Sequence, residues 1–560
     1  MRKHGAHEKK CDNSDGKTRQ NYIHGAAILT VGVIVMKILG FIYKIPLGNI
    51  LGDEGYSMFL SAYNIYFVFF TLATAGLPVA LSRLVAESDA NGRAKNEEKT
   101  FRVALVTFTV LGLVFASIMF FFPDWLAATY LENPDAAMSV KAMAPAILLV
   151  CMVSAYRGYC QGNGNMIPTT VDEVLEVLFK VIAGLALAMV ITNAGMGRPM
   201  ASAGAILGVS VGSVVSLGYM VWYRRCNYAS LSAPYSAGIH DPNDVPEDDD
   251  TVDPASKIVR DILMIGMPIA FGACIMALLN SIDSKLCMNR LQTAAGFSYY
   301  DAKVLYGVYG KAQALFNLPA AFITPLTITI VPAISAALAK RSHDEASAVS
   351  ENSMRIAAVI SLPMGVGITV LSEPIMGVLY PNSHSAGPGL LAIMGIASFF
   401  VCTVLMENAV LQASGREKLT MITMISGGLV KILVNWFLVA NRSINIYGAP
   451  VGTLVSYIVM AVVDYIFICK TLYYKPRLLK IFTGPVVSSL IMGAAAWAMY
   501  GLTHRILGAG WLKMAVCMMF AVIVAVVIYV VCVLTLKVIT KDDMKMIPGG
   551  EKLARLLKMT

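Results

Sequence analysis

The stretch Gln161-Gly162-Asn163-Gly164-Asn165-Met166-Ile167-Pro168-Thr169-Thr170-Val171-Asp172-Glu173-Val174-Leu175-Glu176-Val177-Leu178-Phe179-Lys180 has a counterpart in Gln412-Ala413-Ser414-Gly415 followed by Lys431. Gln161 and Gln412, Gly164 and Gly415, and Lys180 and Lys431 are each 251 residues apart. Each Gln-x-x-Gly step leads into an apolar segment with a lysine near its middle. The sequence thus contains a duplicated membrane unit with a mid-bilayer cation in each copy, the outline of a carrier for something anionic.

Working outward, 57% of the 560 residues are hydrophobic and only 14% are charged. The apolar residues come in runs of roughly twenty, enough to cross a bilayer as helices. Fourteen such spans begin near Ile23, Tyr56, Phe101, Ala137, Ile167, Ala201, Ile258, Val304, Ser353, Pro388, Leu419, Gly448, Ile481 and Trp511. The first follows a hydrophilic segment with no small-residue cleavage site and reads as an uncleaved span. An even count puts both termini on one side. Arg2, Lys3, Lys9, Lys10, Lys17 and Arg19 precede the first span, and Lys537, Lys541, Lys545, Lys552, Arg555 and Lys558 follow the last, so that side is expected to be the cytoplasm. The net charge of +9 is a topology signal and gives no reason to expect a nucleic-acid partner.

The duplication extends to Gly204-Ala205-Ile206-Leu207-Gly208 and Gly448-Ala449-Pro450-Val451-Gly452, which open spans six and twelve. The expected fold is an all-α polytopic membrane protein of about fourteen helices: two parallel six-helix lobes around a central cavity, plus two C-terminal helices. The expected divisions are a cytoplasmic tail (1–22), an N-lobe (23–227), an acidic cytoplasmic linker (228–256), a C-lobe (257–473), the terminal helix pair (474–540) and a second cytoplasmic tail (541–560). Ten scattered cysteines, most within apolar runs, read as small core residues and imply no metal site or disulfide framework.

A charge at the bilayer centre costs roughly 2.5 to 3.5 kcal/mol on insertion scales and should face a bundle interior or a wet cavity. Lys37, Arg157, Lys180, Lys311 and Lys431 are so placed. Lys37 and Lys44 are seven apart and share a helix face near Gly40 and Pro46, and Arg83 follows the Gly76 and Pro78 bend. Lys37, Lys44, Arg83, Lys180 and Lys431 are the candidate cationic cavity, suited to a pyrophosphate. The rival reading is ion pairing within the protein. Glu176 to Lys180 is the favourable i, i+4 order, and Asp172 and Glu173 follow Pro168 where carboxylates suit a helix start. Lys431 has no acid within a turn, only Asn435, which favours it as a substrate-facing cation. Arg157 and Glu407, at adjacent repeat-related positions, form a candidate gate. Asn280, Asp283 and Asp464 are candidate ligands for a coupling Na+ or H+. No Walker motif and no Ser, His and carboxylate set is evident, and no catalytic residues or other cofactor are expected.

The segments Lys37-Ile38-Leu39-Gly40-Phe41-Ile42-Tyr43-Lys44-Ile45-Pro46-Leu47, Gly52-Asp53-Glu54-Gly55-Tyr56 and Gly76-Leu77-Pro78-Val79-Ala80-Leu81-Ser82-Arg83-Leu84-Val85-Ala86-Glu87 resemble the stage V sporulation protein B and polysaccharide-transport branch of the multidrug/oligosaccharidyl-lipid/polysaccharide exporter superfamily. MurJ-type lipid II flippases are among its relatives. The resemblance implies a non-enzymatic flippase of the bacterial plasma membrane that carries a polyprenyl pyrophosphate-linked oligosaccharide, lipid II foremost, to the outer leaflet in cell-wall or spore-envelope synthesis. It also implies a cationic cavity for the head group, a groove by the last two spans for the lipid tail, and cell-wall synthases as candidate partners. The sodium site of some relatives finds Lys431 where a carboxylate is wanted. The alternatives are a flippase for another lipid-linked glycan and an ion-coupled multidrug exporter, which should rely on acidic and aromatic residues. A membrane-embedded glycosyltransferase or polymerase would need an acidic set that Asp124, Glu132, Asp135 and Asp301 do not form, whereas a scaffold role would need no buried cations.

Overall fold

The computed structural model describes residues 22–227, 252–473, 475–508, 510–536 and 538. Most of the acidic linker and nearly all of both terminal tails lie outside the described residues. Within them the chain is helical, since in hydrocarbon each backbone N–H must find its carbonyl inside its own segment. Thirteen stretches are long and apolar enough to cross a membrane. The first, Gly32–Ala90, is not one rod: at Gly52 the backbone turns to φ 69°, ψ −175° inside α1 (Tyr22–Thr74), giving two passes and fourteen in all. Gly76 ends the second pass's first segment, and α2 (Leu77–Ala90) continues with Pro78 in its first turn.

The remaining passes are α3 (Ala94–Phe121), α4 (Ala137–Gly162), α5 (Ile167–Asn193), α6 (Arg198–Cys226), α7 (Ala255–Thr293), and the bent pair α8 (Tyr299–Phe316) and α9 (Leu318–Ala339). Then come α10 (His343–Val370), the short α11 (Ser372–Leu379), α12 (Gly387–Ala413), α13 (Glu417–Leu438), α14 (Gly448–Thr471), α15 (Leu478–Leu507) and α16 (Trp511–Thr535). One core joins residues of α1 to α6 and the start of α7, around Leu47, Leu81, Phe108 and Ile147. A second and third run from the end of α7 through α14 to the start of α15. A smaller cluster of Leu371, Met492, Ala496 and Ala521 fastens α15 and α16 to the second group. Large apolar residues such as Phe121, Trp497, Ile506 and Met519 face outward, as lipid contact requires.

The duplicated turn folds the same way twice. Gly164 and Gly415 hold φ of 72° and 69°, a left-handed backbone in which a Cβ is strained. Their N–H groups donate to Gln161 O at 3.0 Å and Gln412 O at 2.9 Å, and the next residues donate to Cys160 O at 3.0 Å and Leu411 O at 2.9 Å. This is a glycine helix stop that releases the chain into α5 and α13, the helices carrying Lys180 and Lys431.

Candidate substrate-binding cavity

Toward the end of the molecule that bears the Gly52 bend, the two groups of helices are bolted together. A Cβ on Gly307 would lie 1.8 Å from Asp53 O, so the glycine lets α8 close onto the bend. That contact aims Asp53 at Lys311, one turn along. Lys311 Nζ lies 2.6 Å from Asp53 Oδ1, and the same carboxylate accepts from Ser383 Oγ at 2.7 Å and His384 N–H at 2.8 Å. Beside it, Lys303 Nζ is 2.7 Å from Glu54 and 2.6 Å from Asp135. The Tyr299 hydroxyl donates to Asn133 Oδ1 at 2.8 Å, and Asn133 Nδ2 donates to Ser61 Oγ at 3.0 Å. Sequence reasoning took Lys311 as a mid-span cation and passed over Lys303. The acidic Asp53-Glu54 step at the bend was the available signal for both partners.

Below this latch lies a cavity of about 760 Å³ between α1, α5 and the α8 to α9 bend. Lys37, Lys44 and Lys180 line it, with Tyr56, Phe59 and Tyr63 along one face of the second pass and Gln313 and Asn317 opposite on the chain. Among the described residues no carboxylate forms an ion pair with any of the three lysines, and Lys44 feels the charges of both Lys180 and Lys37. Three cations thus share one concave space. The aromatic residues recur every three to four positions, Tyr56 stacking on Phe59 and Phe59 on Tyr63 at centroid distances of 5.9 and 5.8 Å. That period was legible in the sequence, and the sequence reading did not use it.

The Glu176 to Lys180 pair of the rival reading does not form. Glu176 instead binds Arg157 at 2.7 Å, and Asp172 and Glu173 join from the same helix at 2.6 and 3.8 Å. Ser216 of α6 donates a further hydrogen bond to Asp172. Asp172 and Glu173 are therefore ligands of a guanidinium rather than helix caps. A bidentate-capable arginine facing three carboxylates wins over a single lysine because its fork meets several oxygens at once. Lys180 is left to the cavity.

Four other expectations are corrected by the packing. Arg157 and Glu407 do not meet: Arg157 is satisfied within its own half, and Glu407 is buried on α12 with Oε2 unpartnered. Lys431 is not a lone cation. It lies 2.7 Å from Asp283 of α7, which also accepts from Asn435, and it does not line the cavity. Arg83 is exposed on α2 away from the cavity. Of the candidate ion ligands, Asn280 is exposed, Asp283 is taken by Lys431, and Asp464 is fully buried on α14 with both oxygens unpartnered. No group of three or more His, Cys, Asp or Glu that would hold a metal occurs among the described residues.

A two-group helical bundle with a lysine-bearing cleft between the groups is an architecture expected of an alternating-access membrane transporter. The sequence profile of the polysaccharide biosynthesis proteins matches residues 23–338, more than half of the chain, and the protein belongs to that family. The profile of the lipid II flippase MurJ matches residues 298–535. Stage V sporulation protein B of Bacillus subtilis (strain 168) is 25% identical over 540 residues, covering 95% of this chain and 98% of that protein. Lipid II flippase MurJ of the same organism is 24% identical, covering 94% and 97%. Among solved structures, an inward closed conformation of lipid II flippase MurJ superposes with a TM-score of 0.67 at 13% identity, covering 91% of this chain and 99% of that one. An inward-facing multidrug resistance MATE transporter of the MOP superfamily gives 0.63 at 16%, covering 79% and 97%. The fold is that of the solved MurJ and MATE structures, and the protein is a multi-pass membrane protein of the polysaccharide biosynthesis family.

Proposed function

We propose that the protein flips a lipid-linked oligosaccharide, most specifically the peptidoglycan precursor lipid II, from the inner to the outer leaflet of a bacterial plasma membrane, with both termini in the cytoplasm. The observation that carries the proposal is the trio Lys37, Lys44 and Lys180, clustered in one cavity without a carboxylate partner among the described residues. A pyrophosphate supplies the missing negative charge. One contact of unit charges at 4 Å is worth about 4 kcal/mol at an effective dielectric of 20, so three cations offset the cost of moving the head group into the bilayer. The faces of Tyr56, Phe59 and Tyr63 suit the apolar faces of sugar rings. The latch at the Gly52 bend closes the exit while the head group is loaded, and its charge pairs must part before release. A drug exporter of the same fold fits less well, because an organic cation would meet three like charges.

The test is complementation of a bacterium depleted of its own lipid II flippase, read by leaflet-specific labelling of lipid II. Outward lipid II in cells expressing the wild type, and its loss in Lys44→Ala at equal protein level, is the expected result. Well-expressed wild type that leaves lipid II inside would reject lipid II as the cargo.

A further inference from the structure

The cavity is lined by two chemically different surfaces. Lys37 and Lys44 of α1 and Lys180 of α5 charge the first, whereas the residues that α8 and the α8 to α9 bend contribute carry no charge. The polar side chains of this second surface are two carboxamides, Gln313 and Asn317. Gly310, Gln313 and Asn317 follow at i, i+3 and i+7 and so share one helix face. The lysines of α8 are engaged elsewhere, Lys303 with Glu54 and Asp135 and Lys311 with Asp53.

Gly310 sets how near this face comes to the aromatic residues. A Cβ there would lie 2.6 Å from Leu60 Cδ2 and 3.2 Å from Tyr56 Cε1, so α8 closes onto the second pass beside Tyr56, and Gln313 lies one turn along from that contact. Other polar groups of the cavity are already in use. The Tyr43 hydroxyl donates to Ala205 O at 3.3 Å, and Asn317 Nδ2 donates to Gln313 O at 2.9 Å, closing the end of its own helix. The Gln313 side chain is half-buried and makes no hydrogen bond to another described group.

A carboxamide holds a donor N–H and an acceptor oxygen side by side. A phosphate offers acceptors alone and can meet only the N–H. A hydroxyl has one oxygen to serve both atoms, which bends one of the two bonds away from linearity. A secondary amide returns an acceptor and a donor at matching spacing and closes two hydrogen bonds at once. The lysines therefore suit the phosphates, and the Gln313 carboxamide suits an amide carried next to them.

We propose that Gln313 is a specificity-determining residue of the cavity: it reads a secondary amide, of the kind an N-acetylated sugar or a peptide carries, and selects amide-bearing lipid-linked head groups over those built of hydroxylated sugars alone. The inference rests on the proposed function, which puts the pyrophosphate on the lysines, and adds the determinant that decides which head group accompanies it.

The experiment uses the full chain in lipid nanodiscs and measures equilibrium binding of three probes. These are lipid II, a polyprenyl pyrophosphate bearing a disaccharide of unmodified hexoses, and the polyprenyl pyrophosphate alone. Wild type, Gln313→Met and Lys44→Ala are compared. Wild type should hold lipid II about tenfold more tightly than the hexose-bearing probe, as one to two well-formed hydrogen bonds allow. Gln313→Met keeps the side-chain length and removes both polar atoms; it should erase that preference while binding the bare pyrophosphate as wild type does, which also shows that the variant is folded. A preference that survives in Gln313→Met, equal weakening of all three probes by a monodisperse Gln313→Met, or a wild type without the preference overturns the proposal. In each of those cases the proposed function stands if wild type binds the bare pyrophosphate and Lys44→Ala weakens it. A wild type that binds no pyrophosphate lipid rejects both.

Discussion

Lys37, Lys44 and Lys180 on one side, and Lys303, Lys311 and Lys431 on the other, are six lysines embedded in the same bundle with opposite fates. The second set is spent. Lys303 faces Glu54 and Asp135, Lys311 faces Asp53, and Lys431 faces Asp283, all within 2.7 Å. The first set meets no carboxylate among the described residues and shares a cavity. Depth in the bilayer therefore does not distinguish a paired lysine from an unpaired one; the presence of an acid on a neighbouring helix does. A buried pair holds helices together and is costly to break, whereas on the proposed function the unpaired trio favours an anionic guest.

The comparison breaks most sharply in the cavity. Lys44→Ala combined with Lys180→Ala removes two of three cations and should reduce transport by well over tenfold with little change in protein level, since each tenfold corresponds to about 1.4 kcal/mol of lost binding. Leaflet-specific labelling normalised to membrane protein content checks it. Loss of the protein itself would place these lysines in the structural set.

The next largest effect belongs to the latch. Lys311→Ala leaves Asp53 without its cation and should cost roughly 3 to 5 kcal/mol, the range for breaking a buried pair. A lower melting temperature in detergent should appear, together with greater reactivity of a cysteine placed in the cavity toward a reagent added from outside. The reciprocal exchange Asp53→Lys with Lys311→Asp should recover part of the stability. No recovery would mean that Ser383 and His384, rather than the charge pair, set the closure.

Lys431 sharpens the contrast in a different way. Lys431→Ala should destabilise by a similar amount, but Lys431→Met with Asp283→Asn removes both charges and should restore stability, because well-packed neutral groups often replace a buried pair at little cost. Transport in the double variant should stay near the wild-type level. If it falls while the protein remains stable, Lys431 belongs with the cavity set after all.

The smallest effect concerns the repeat. Gly164→Ala and Gly415→Ala each force a Cβ into the left-handed region and should cost about 1 to 2 kcal/mol apiece, nearly equal in the two copies. Thermal melts of the two variants measure this. Unequal costs would show that the two turns are held by different surroundings despite their matching hydrogen bonds.

What the sequence disclosed was local. The Gln-x-x-Gly stops are written in the chain because a glycine at positive φ serves its own turn, and the sharing of one cavity by Lys37 and Lys44 follows from a seven-residue spacing. Span number followed from runs of apolar residues, with the Gly52 bend falling between two of them. The pairings were not legible in the same way. Asp283 and Lys431 are 148 residues apart, and only the packing of α7 on α13 brings them together. Glu176 has Lys180 one turn away on its own helix, yet the fork of Arg157 on α4 takes it. A helix-spacing rule weighs only neighbours on one helix, so it offered Glu176 as a rival partner for Lys180 and left Lys431 looking free. The Arg157 to Glu407 gate failed for the same reason: repeat-related positions in two halves are equivalent places, which need not touch.

The central claim is that the unpaired lysines bind the pyrophosphate head group and the paired ones do not. Its most direct test is the affinity of the purified full chain for lipid II in nanodiscs, measured side by side for wild type, Lys44→Ala and the double variant Lys431→Met with Asp283→Asn. The account predicts at least about tenfold weaker binding for Lys44→Ala and wild-type binding for the double variant. Equal affinity in wild type and Lys44→Ala, or weakening confined to the Lys431 variant, would contradict it.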